Sequence, residues 1–344
     1  MTGTLLSAFF SLPDIMSSRR LFFISAMLGA GSNAAFAVLA NGLAVAIPMR
    51  FLTGVFLAGI YPPGMKLATT WSRRYRGAAI GLLVGALTVG SASPHLVRSL
   101  SDVPWRQVVF LSSILASVGG VIVLLFVREG PFAEPRATFE PRQALRILGL
   151  RGVRLANLGY LGHMWELYAM WTWVPIFLVE ALETRTDSAS LAGIIAFSVI
   201  AVGGIGSVAG GVLADRYGRT AVTSVSMVLS GSMALLAAML FDAPLVLLPV
   251  LLVWGVTVVA DSAQFSAAVT ELSPPRYVGT VLTMQTAMGF LLTLFSIQLV
   301  PLFVDAQGWS LAFAALALGP VFGVWAMLRL RNLPEASSLA GGRR

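Results

Sequence analysis

Long apolar stretches dominate the chain, and short polar segments separate them. A helix needs about 20 apolar residues to cross the hydrocarbon core of a bilayer, and by this measure the pattern predicts ten full spans. They cover residues 21–43, 44–70, 77–97, 107–127, 155–181, 190–214, 220–241, 244–268, 278–304 and 309–330. A stub from Thr4 to Pro13 is too short to cross. Because backbone polar groups in lipid must be satisfied within their own segment, we expect an all-α polytopic membrane protein.

The distribution of charge predicts the orientation of these spans. The chain carries a net charge of +8, yet its arginines lie in short clusters between apolar spans, which argues against nucleic-acid binding. Eighteen arginines fall in the segments 14–20, 71–77, 128–154, 215–219 and 271–277, at the C-terminal end of the last span and in the C-terminal tail, and three fall in the opposite loops. We therefore expect a multi-pass protein of the cell (cytoplasmic or inner) membrane, with the C-terminus in the cytoplasm.

An internal repeat with a spacing near 200 residues divides the chain. Leu12-Pro-Asp14 matches Leu213-Ala-Asp215, and Arg74-Tyr-Arg-Gly77 matches Arg276-Tyr-Val-Gly279. Each pair has the same place in the order of spans, so the repeat is parallel. It predicts an incomplete N-terminal half bundle (1–127), a cytoplasmic linker (128–154), a C-terminal six-helix half bundle (155–331) and a cytoplasmic tail (332–344).

The segment Gly211-Val-Leu-Ala-Asp215-Arg-Tyr-Gly218-Arg219 lies between two spans. It resembles the signature G-x-L-(A/S)-D-R-x-G-R-(R/K) of the major facilitator superfamily of transporters, with Thr220 in place of the last base. The resemblance implies two pseudo-symmetric helical bundles that expose a central site to each side in turn. The first half holds four spans and the stub, so we expect helix 1 and most of helix 2 of a twelve-helix transporter to be missing from this chain.

The same segment and its counterpart predict a conformational latch at the cytoplasmic surface. Aspartate neutralises the positive N-terminus of a neighbouring helix, so we expect Asp14 and Asp215 to cap the helices that start near Gly77 and Gly279. In the first half, Asp14-Ile-Met-Ser-Ser-Arg19 has one extra residue and no glycine. The predicted latch residues are Asp14, Arg19, Gly211, Asp215, Arg216, Gly218 and Arg219. Positive-inside topology alone would explain the arginines but not the aspartates.

Ionisable residues inside the spans predict the pathway of substrate and protons. Arg50-Phe-Leu-Thr-Gly54 resembles a second superfamily pattern, R-x-x-x-G, which implies that Arg50 contacts an anionic or polar substrate group. His163 and Glu166 lie on one helical face, and we expect Glu166 to carry the coupling proton, tuned by His163. The alternative is a structural ion pair or polar contact between helices.

Further polar and aromatic residues complete the predicted pathway. Asp261 and Gln264 repeat the i, i+3 spacing, Trp165 and Tyr168 flank Glu166, and Gln285 lies in a later span. His163 and Glu166 offer only two metal ligands, so we expect no metal site and no cofactor.

These features predict a monomeric, proton-coupled secondary transporter of a small organic anion or metabolite. The chain carries no catalytic or nucleotide-binding motif, so we do not expect an enzyme. Overall similarity to nitrate/nitrite porters is loose, because the embedded arginine of their eighth helix is absent here. A nitrate/nitrite-type porter, a drug or metabolite efflux antiporter, a non-transporting receptor and an inactive fragment remain alternatives.

Overall fold

A computed structural model describes residues 2–10, 12–100, 103–133, 141–182 and 188–343. Throughout these ranges the regular secondary structure is helical, as the apolar pattern predicts. The first half of the chain forms seven helices within the described residues: α1 (Thr2–Phe9), α2 (Leu12–Ile15), α3 (Ser18–Leu39), α4 (Leu43–Leu57), α5 (Tyr61–Thr69), α6 (Arg76–Leu100) and α7 (Trp105–Phe126).

The rest of the chain is also helical where it is described. It forms α8 (Pro141–Gly149), α9 (Arg151–Ala181), α10 (Ser188–Ala201), α11 (Gly203–Tyr217), α12 (Arg219–Met239), α13 (Pro244–Ala260), α14 (Ser262–Leu272), α15 (Val278–Leu316) and α16 (Leu318–Arg331). Short 3-10 helices cover Pro275–Tyr277 and Pro334–Gly341. The predicted linker therefore contains a helix, and α9 starts four residues earlier than its predicted span.

Eight segments of the described chain are long and apolar enough to cross a membrane. The last of them, Pro275–Arg331, contains two predicted spans, and the backbone leaves the helical region between them at Gln307 and Gly308. The remaining predicted span lies in α9, a helix of 31 residues that carries His163 and Glu166. The structure thus confirms an all-α polytopic architecture, while α1 and α2, with 8 and 4 residues, match the short stub.

Several predicted spans are broken inside their length. The span 44–70 separates into α4 and α5 just before Pro62 and Pro63, which cannot donate backbone hydrogen bonds to the preceding turn. The span 244–268 separates into α13 and α14 at Asp261, where neither proline nor glycine marks the break. Polar groups at such discontinuities are typical of binding sites in transporters.

The helices cluster into two compact units. One consists of Met1–Arg73, Val103–Leu150 and Ser273–Met288, and the other of Arg74–Asp102, Arg151–Leu272 and Gly289–Arg344. In the first unit, α3 packs along α7 and α4; in the second, α6 packs along α11 and α10, and α9 along α16. These packing units exchange segments relative to the halves predicted from the repeat, because α6 clusters with the C-terminal segments and the start of α15 with the N-terminal ones. The symmetric halves stay a prediction.

Candidate functional site

Glu166 is buried in the second unit, with 1% of its surface exposed. Its two carboxylate oxygens accept hydrogen bonds from two different helices. The indole Nε1 of Trp254 in α13 donates to Oε1 at 2.7 Å, and the hydroxyl of Ser230 in α12 donates to Oε2 at 2.8 Å. Glu166 therefore ties α9 to α12 and α13 through two neutral donors. No cation lies within ion-pair distance of it among the described residues.

His163, one turn earlier in α9, contacts Asp261 at the break between α13 and α14. His163 Nδ1 lies 2.9 Å from Asp261 Oδ1, and both side chains are buried. The imidazole packs beside Phe265 at a centroid distance of 5.5 Å. His163 was predicted to tune Glu166, but the structure pairs it directly with Asp261. Glu166 and Asp261 are therefore two buried carboxyl groups in different surroundings, one beside neutral donors and one beside an imidazole.

Arg50 occupies α4 of the first unit and is exposed within it. Its Nη1 donates to Asn33 Oδ1 at 2.8 Å, and its guanidinium lies 3.9 Å from the ring centroid of Phe36. The amide of Asn33 in turn donates to the hydroxyls of Ser112 and Ser113 in α7, each at 3.0 Å. These contacts orient the guanidinium without neutralising it, because no carboxylate within the described part of the chain pairs with it.

The aromatic candidates of α9 are engaged in packing. The indole of Trp165 donates to the backbone oxygen of Ala315 at 2.9 Å. The ring of Tyr168 packs against Trp171 and Phe290, each at a centroid distance of 5.3 Å. These contacts hold α9 against α15. Gln285 is fully buried in α15.

Asp14 caps the N-terminus of α15, one of the two helix starts at which the sequence predicts a capping aspartate. Its carboxylate accepts hydrogen bonds from the backbone N–H of Gly279 at 3.0 Å and from both the backbone N–H and the hydroxyl of Thr280. Lys66 Nζ lies 2.5 Å from the same carboxylate. The extra residue and missing glycine of the first-half segment thus leave the capping contact intact.

Asp215 caps the N-terminus of α6 in the corresponding way. It accepts hydrogen bonds from the backbone N–H of Gly77 at 3.1 Å and of Ala78 at 2.9 Å. Arg219, four residues later and fully buried, lies 2.7 Å from Asp215 Oδ1. A capping contact is therefore present at each of the two helix starts, and the role of these contacts as a conformational latch stays a prediction.

A buried network surrounds Arg219. Its Nη2 pairs with Glu271 Oε1 at 2.9 Å, and its Nη1 donates to Gln264 Oε1 at 2.9 Å. Gln264 was predicted to belong to the substrate pathway with Asp261, but the structure brings it to the Asp215 cap.

The remaining latch residues have distinct positions. Gly211 lets α11 approach α6, since a Cβ atom there would lie 2.5 Å from the backbone oxygen of Gly77. Gly218 joins α11 to α12 at φ +104°, a conformation that favours glycine. Arg216 is exposed beside Tyr217, and Arg19 donates a hydrogen bond to the backbone oxygen of Val127 at 3.4 Å.

The C-terminal segment packs onto the Asp215 network. The backbone N–H of Ala340 donates to Glu271 Oε2 at 2.9 Å, and Arg343 Nη1 donates to the backbone oxygen of Asp215 at 2.6 Å. Sequence reasoning treated residues 332–344 as a tail because they are short and polar. The structure gives this segment a docking position of its own within the second unit.

Several partners were missed by sequence reasoning. Lys66 and Glu271 carried a usable signal, because a charge at the end of an apolar span requires a partner or water. Trp254 and Ser230 carried none, since an indole and a hydroxyl in an apolar span are equally typical of helix packing. Within the described residues, no group of three or more His, Cys, Asp or Glu is arranged to hold a metal ion.

Comparison with known proteins places this geometry in a family. The family model described as Major Facilitator Superfamily matches residues 3–297 and 158–344. The probable sulfoacetate transporter SauU of Cupriavidus necator is 26% identical over 232 residues, which cover 59% of this chain and 53% of that relative. The MFS-type transporter pytF of Aspergillus terreus is 26% identical over 215 residues, covering 60% of this chain and 69% of the relative. The chain thus matches about half of the first relative's length.

Solved structures agree with the family match. The human organic anion transporter MFSD10 (TETRAN) superposes with a TM-score of 0.76 at 16% identity, over 95% of this chain and 82% of that one. The E. coli fucose:proton symporter FucP superposes with a TM-score of 0.70 at 13% identity, over 96% of this chain and 91% of that one. These structures establish the fold, and the family model covers most of the sequence. The chain belongs to the Major Facilitator Superfamily.

Proposed function

We propose that this protein is a proton-coupled secondary transporter of a small organic anion, working by alternating access in the cell membrane with its C-terminus in the cytoplasm. The observation that carries the proposal is Glu166, a buried carboxyl group with two neutral donors and no counter-charge among the described residues. Of the two alternative roles, a structural ion pair requires a cation, and a polar contact between helices requires gradient-driven uptake to survive the loss of the titratable carboxyl group. The His163–Asp261 contact fits that structural role better.

Proton coupling follows from the energetics of this carboxyl group. A charged side chain costs several kcal/mol in the membrane interior unless it is paired or reached by water. The donors Trp254 and Ser230 come from two other helices, so a relative movement of these helices changes the hydrogen bonding of Glu166. A carboxyl group that loses or gains donors in this way takes up or releases a proton as the conformation changes.

An anionic substrate is supported by Arg50 and by the relatives. The guanidinium of Arg50 is exposed, oriented by Asn33 and Phe36, and without a carboxylate partner in the described chain. Guanidinium binds carboxylate and sulfonate oxygens through charge-assisted hydrogen bonds. Two similar proteins are named for sulfoacetate and for organic anions. We therefore propose a small carboxylate or sulfonate as substrate, and sulfoacetate as the first compound to test.

The proton role is tested in proteoliposomes with the variant Glu166→Gln. Uptake of labelled sulfoacetate driven by a pH gradient is expected to be lost, while exchange of internal for external sulfoacetate continues. Glutamine has nearly the same shape, and its amide can accept from Trp254 and donate to the Ser230 hydroxyl, but it has no carboxyl proton to exchange. Glu180→Gln is the matched control, since Glu180 lies on the same helix and also accepts an indole N–H, that of Trp309 at 2.6 Å. Unchanged gradient-driven uptake in Glu166→Gln would refute the coupling role.

The substrate role of Arg50 is tested by binding. We expect Arg50→Gln to weaken sulfoacetate binding about tenfold to a hundredfold, the effect of losing a hydrogen bond to a charged group. Arg50→Lys keeps the charge and is expected to lose less. Arg106→Gln is the control, because that exposed arginine also contacts an asparagine side chain, Asn41. Ligand-dependent thermal stabilisation measures the affinity, and equal binding by Arg50→Gln would remove Arg50 from the site. A non-transporting receptor, one of the alternative functions, would bind sulfoacetate but would not carry it into proteoliposomes.

A further inference from the structure

A basic cavity of about 380 Å³ lies in the first unit, where α3 begins and α7 ends. Its described lining residues carry three guanidinium groups against one carboxylate. The lining residues are Ser17, Arg19, Arg20, Arg128 and Glu129. The role proposed above for Arg50 and Glu166 does not involve this cavity.

The three arginines of the cavity have no carboxylate partner among the described residues. The one carboxylate, Glu129, accepts a hydrogen bond from the Ser17 hydroxyl at 3.3 Å. Arg19 follows Asp14 by five residues, much as Arg219 follows Asp215 by four, yet Arg219 is buried between two carboxylates. The extra residue between Asp14 and Arg19, together with the presence of Lys66 at Asp14, accounts for the difference. Arg19 is therefore left with its charge directed to the cavity.

We propose that this cavity binds a phosphate group. Guanidinium groups recognise phosphate through paired, charge-assisted hydrogen bonds. The start of α3 adds to the attraction, because its first N–H groups carry partial positive charge and its N-cap residue, Ser17, makes no capping hydrogen bond through its side chain. Three arginines and a helix N-terminus together exceed the single negative charge of Glu129.

The surroundings indicate that an acidic phospholipid headgroup supplies this phosphate. Apolar side chains beside the cavity are exposed: Ile24 in α3 by 44%, and Leu125 and Phe126 at the end of α7 by 63% and 77%. In a bilayer such side chains contact acyl chains, so a lipid bound here would place its chains along α3 and α7. The arginine distribution predicts that this is the cytoplasmic face, where acidic lipids attract clustered basic residues. A soluble phosphate ester shares the chemistry and is distinguished by the experiment.

The test uses the full chain purified in detergent, with phosphatidylglycerol and phosphatidylcholine added in parallel. Native mass spectrometry and thermal stabilisation report lipid binding. We expect selective binding of phosphatidylglycerol, and a loss of more than tenfold in affinity in the triple variant R19Q/R20Q/R128Q, since each arginine near an anionic lipid contributes about fivefold. The matched control R151Q/R329Q/R331Q removes the same charge from exposed helix ends outside the cavity.

The outcomes separate the two sources of phosphate. Phosphatidylglycerol binding that the control retains and the triple variant loses supports the lipid site. Competition by glycerol 3-phosphate, with the same dependence on the three arginines, supports a soluble phosphate ester instead. Equal phosphatidylglycerol binding by the wild type and the triple variant would overturn the proposal, as would an equal loss in the control. The single variant Arg20→Gln, an exposed position, repeats the test if the triple variant does not fold.

Discussion

The two capping aspartates perform the same local task with different charge partners. Asp14 accepts three hydrogen bonds from the start of α15, and Asp215 accepts two from the start of α6. Each neutralises the positive end of a helix. The cation beside Asp14 is Lys66, which comes from a distant part of the sequence, whereas the cation beside Asp215 is Arg219, four residues away.

Burial separates the two caps more sharply than geometry does. The side chain of Lys66 is 19% exposed, so water and ions can replace its contact with Asp14. Arg219 is fully buried and is shared between Asp215 and Glu271, whose side chains are each 5% exposed. The comparison teaches that a repeated helix cap can be held in two ways. One is an open pair, here Asp14 with the partly exposed Lys66, and the other is a closed network, here the buried Arg219 with Asp215 and Glu271. The closed network is far more sensitive to loss of its cation, because no solvent replaces it.

The largest effect is expected from Arg219→Met. Removing the guanidinium leaves two carboxylates buried without a counter-charge, which costs about 3–5 kcal/mol. Thermal unfolding in detergent measures the loss. Arg216→Met is the control, because this exposed neighbour has no carboxylate partner in the described chain and is expected to change stability by less than about 0.5 kcal/mol. Similar small effects in both variants would show that the network is not closed.

Loss of a capping carboxylate is expected to favour opening of the helix end that it holds. The chain has no cysteine, so single cysteines report accessibility without background labelling. The reporters are Thr283→Cys, one turn beyond the Asp14 cap, and Ile80→Cys, one turn beyond the Asp215 cap. Both positions are buried. We expect Asp14→Asn to speed labelling of the first, and Asp215→Asn that of the second, by about 5- to 30-fold, the equivalent of about 1–2 kcal/mol. Labelling rates that stay at the wild-type value would contradict the proposed latch.

The control for this experiment combines each aspartate variant with the cysteine reporter of the other helix. If each cap holds only its own helix end, Asp14→Asn leaves the Ile80→Cys reporter unchanged and Asp215→Asn leaves Thr283→Cys unchanged. If both caps oppose one common opening movement, as alternating access requires, each variant speeds both reporters. The second result is the one expected for a transporter.

The sequence predicted the caps because their signals are local. A signature segment with Asp215 and the parallel repeat that identifies Asp14 pointed to the helices starting near Gly77 and Gly279, and the structure contains both contacts. The partners Lys66 and Glu271 depend on how distant segments pack, which a single sequence does not encode in its periodicity. The predicted span 244–268 lies within one membrane-length segment, Pro244–Leu272. The contact of Gln264 with Arg219 depends on the packing of distant segments in the same way.

Lys66→Met tests the open cap and is expected to cost about 1 kcal/mol or less. Water reaches the Lys66 side chain, which weakens its ion pair with Asp14. In the variant, three hydrogen bonds from α15 continue to hold the Asp14 carboxylate. Because partly exposed pairs are screened by ions, the difference from wild type should shrink further in 1 M salt. The loss in Arg219→Met should persist at the same salt concentration. A Lys66→Met loss as large as that of Arg219→Met would abolish the distinction between the caps.

The smallest effect is expected from Arg343→Ala at the edge of the closed network. Arg343 is exposed and donates to the backbone oxygen of Asp215, not to its carboxylate, so its removal leaves both ion pairs of Arg219 in place. We expect a change in unfolding temperature equivalent to less than about 0.5 kcal/mol, close to that of the exposed control Arg331→Ala. A loss of several kcal/mol would instead make the C-terminal segment a working part of the Asp215 cap. The closed network would then include a segment that has no counterpart at Asp14, and the difference between the two caps would be greater than their ion pairs alone indicate.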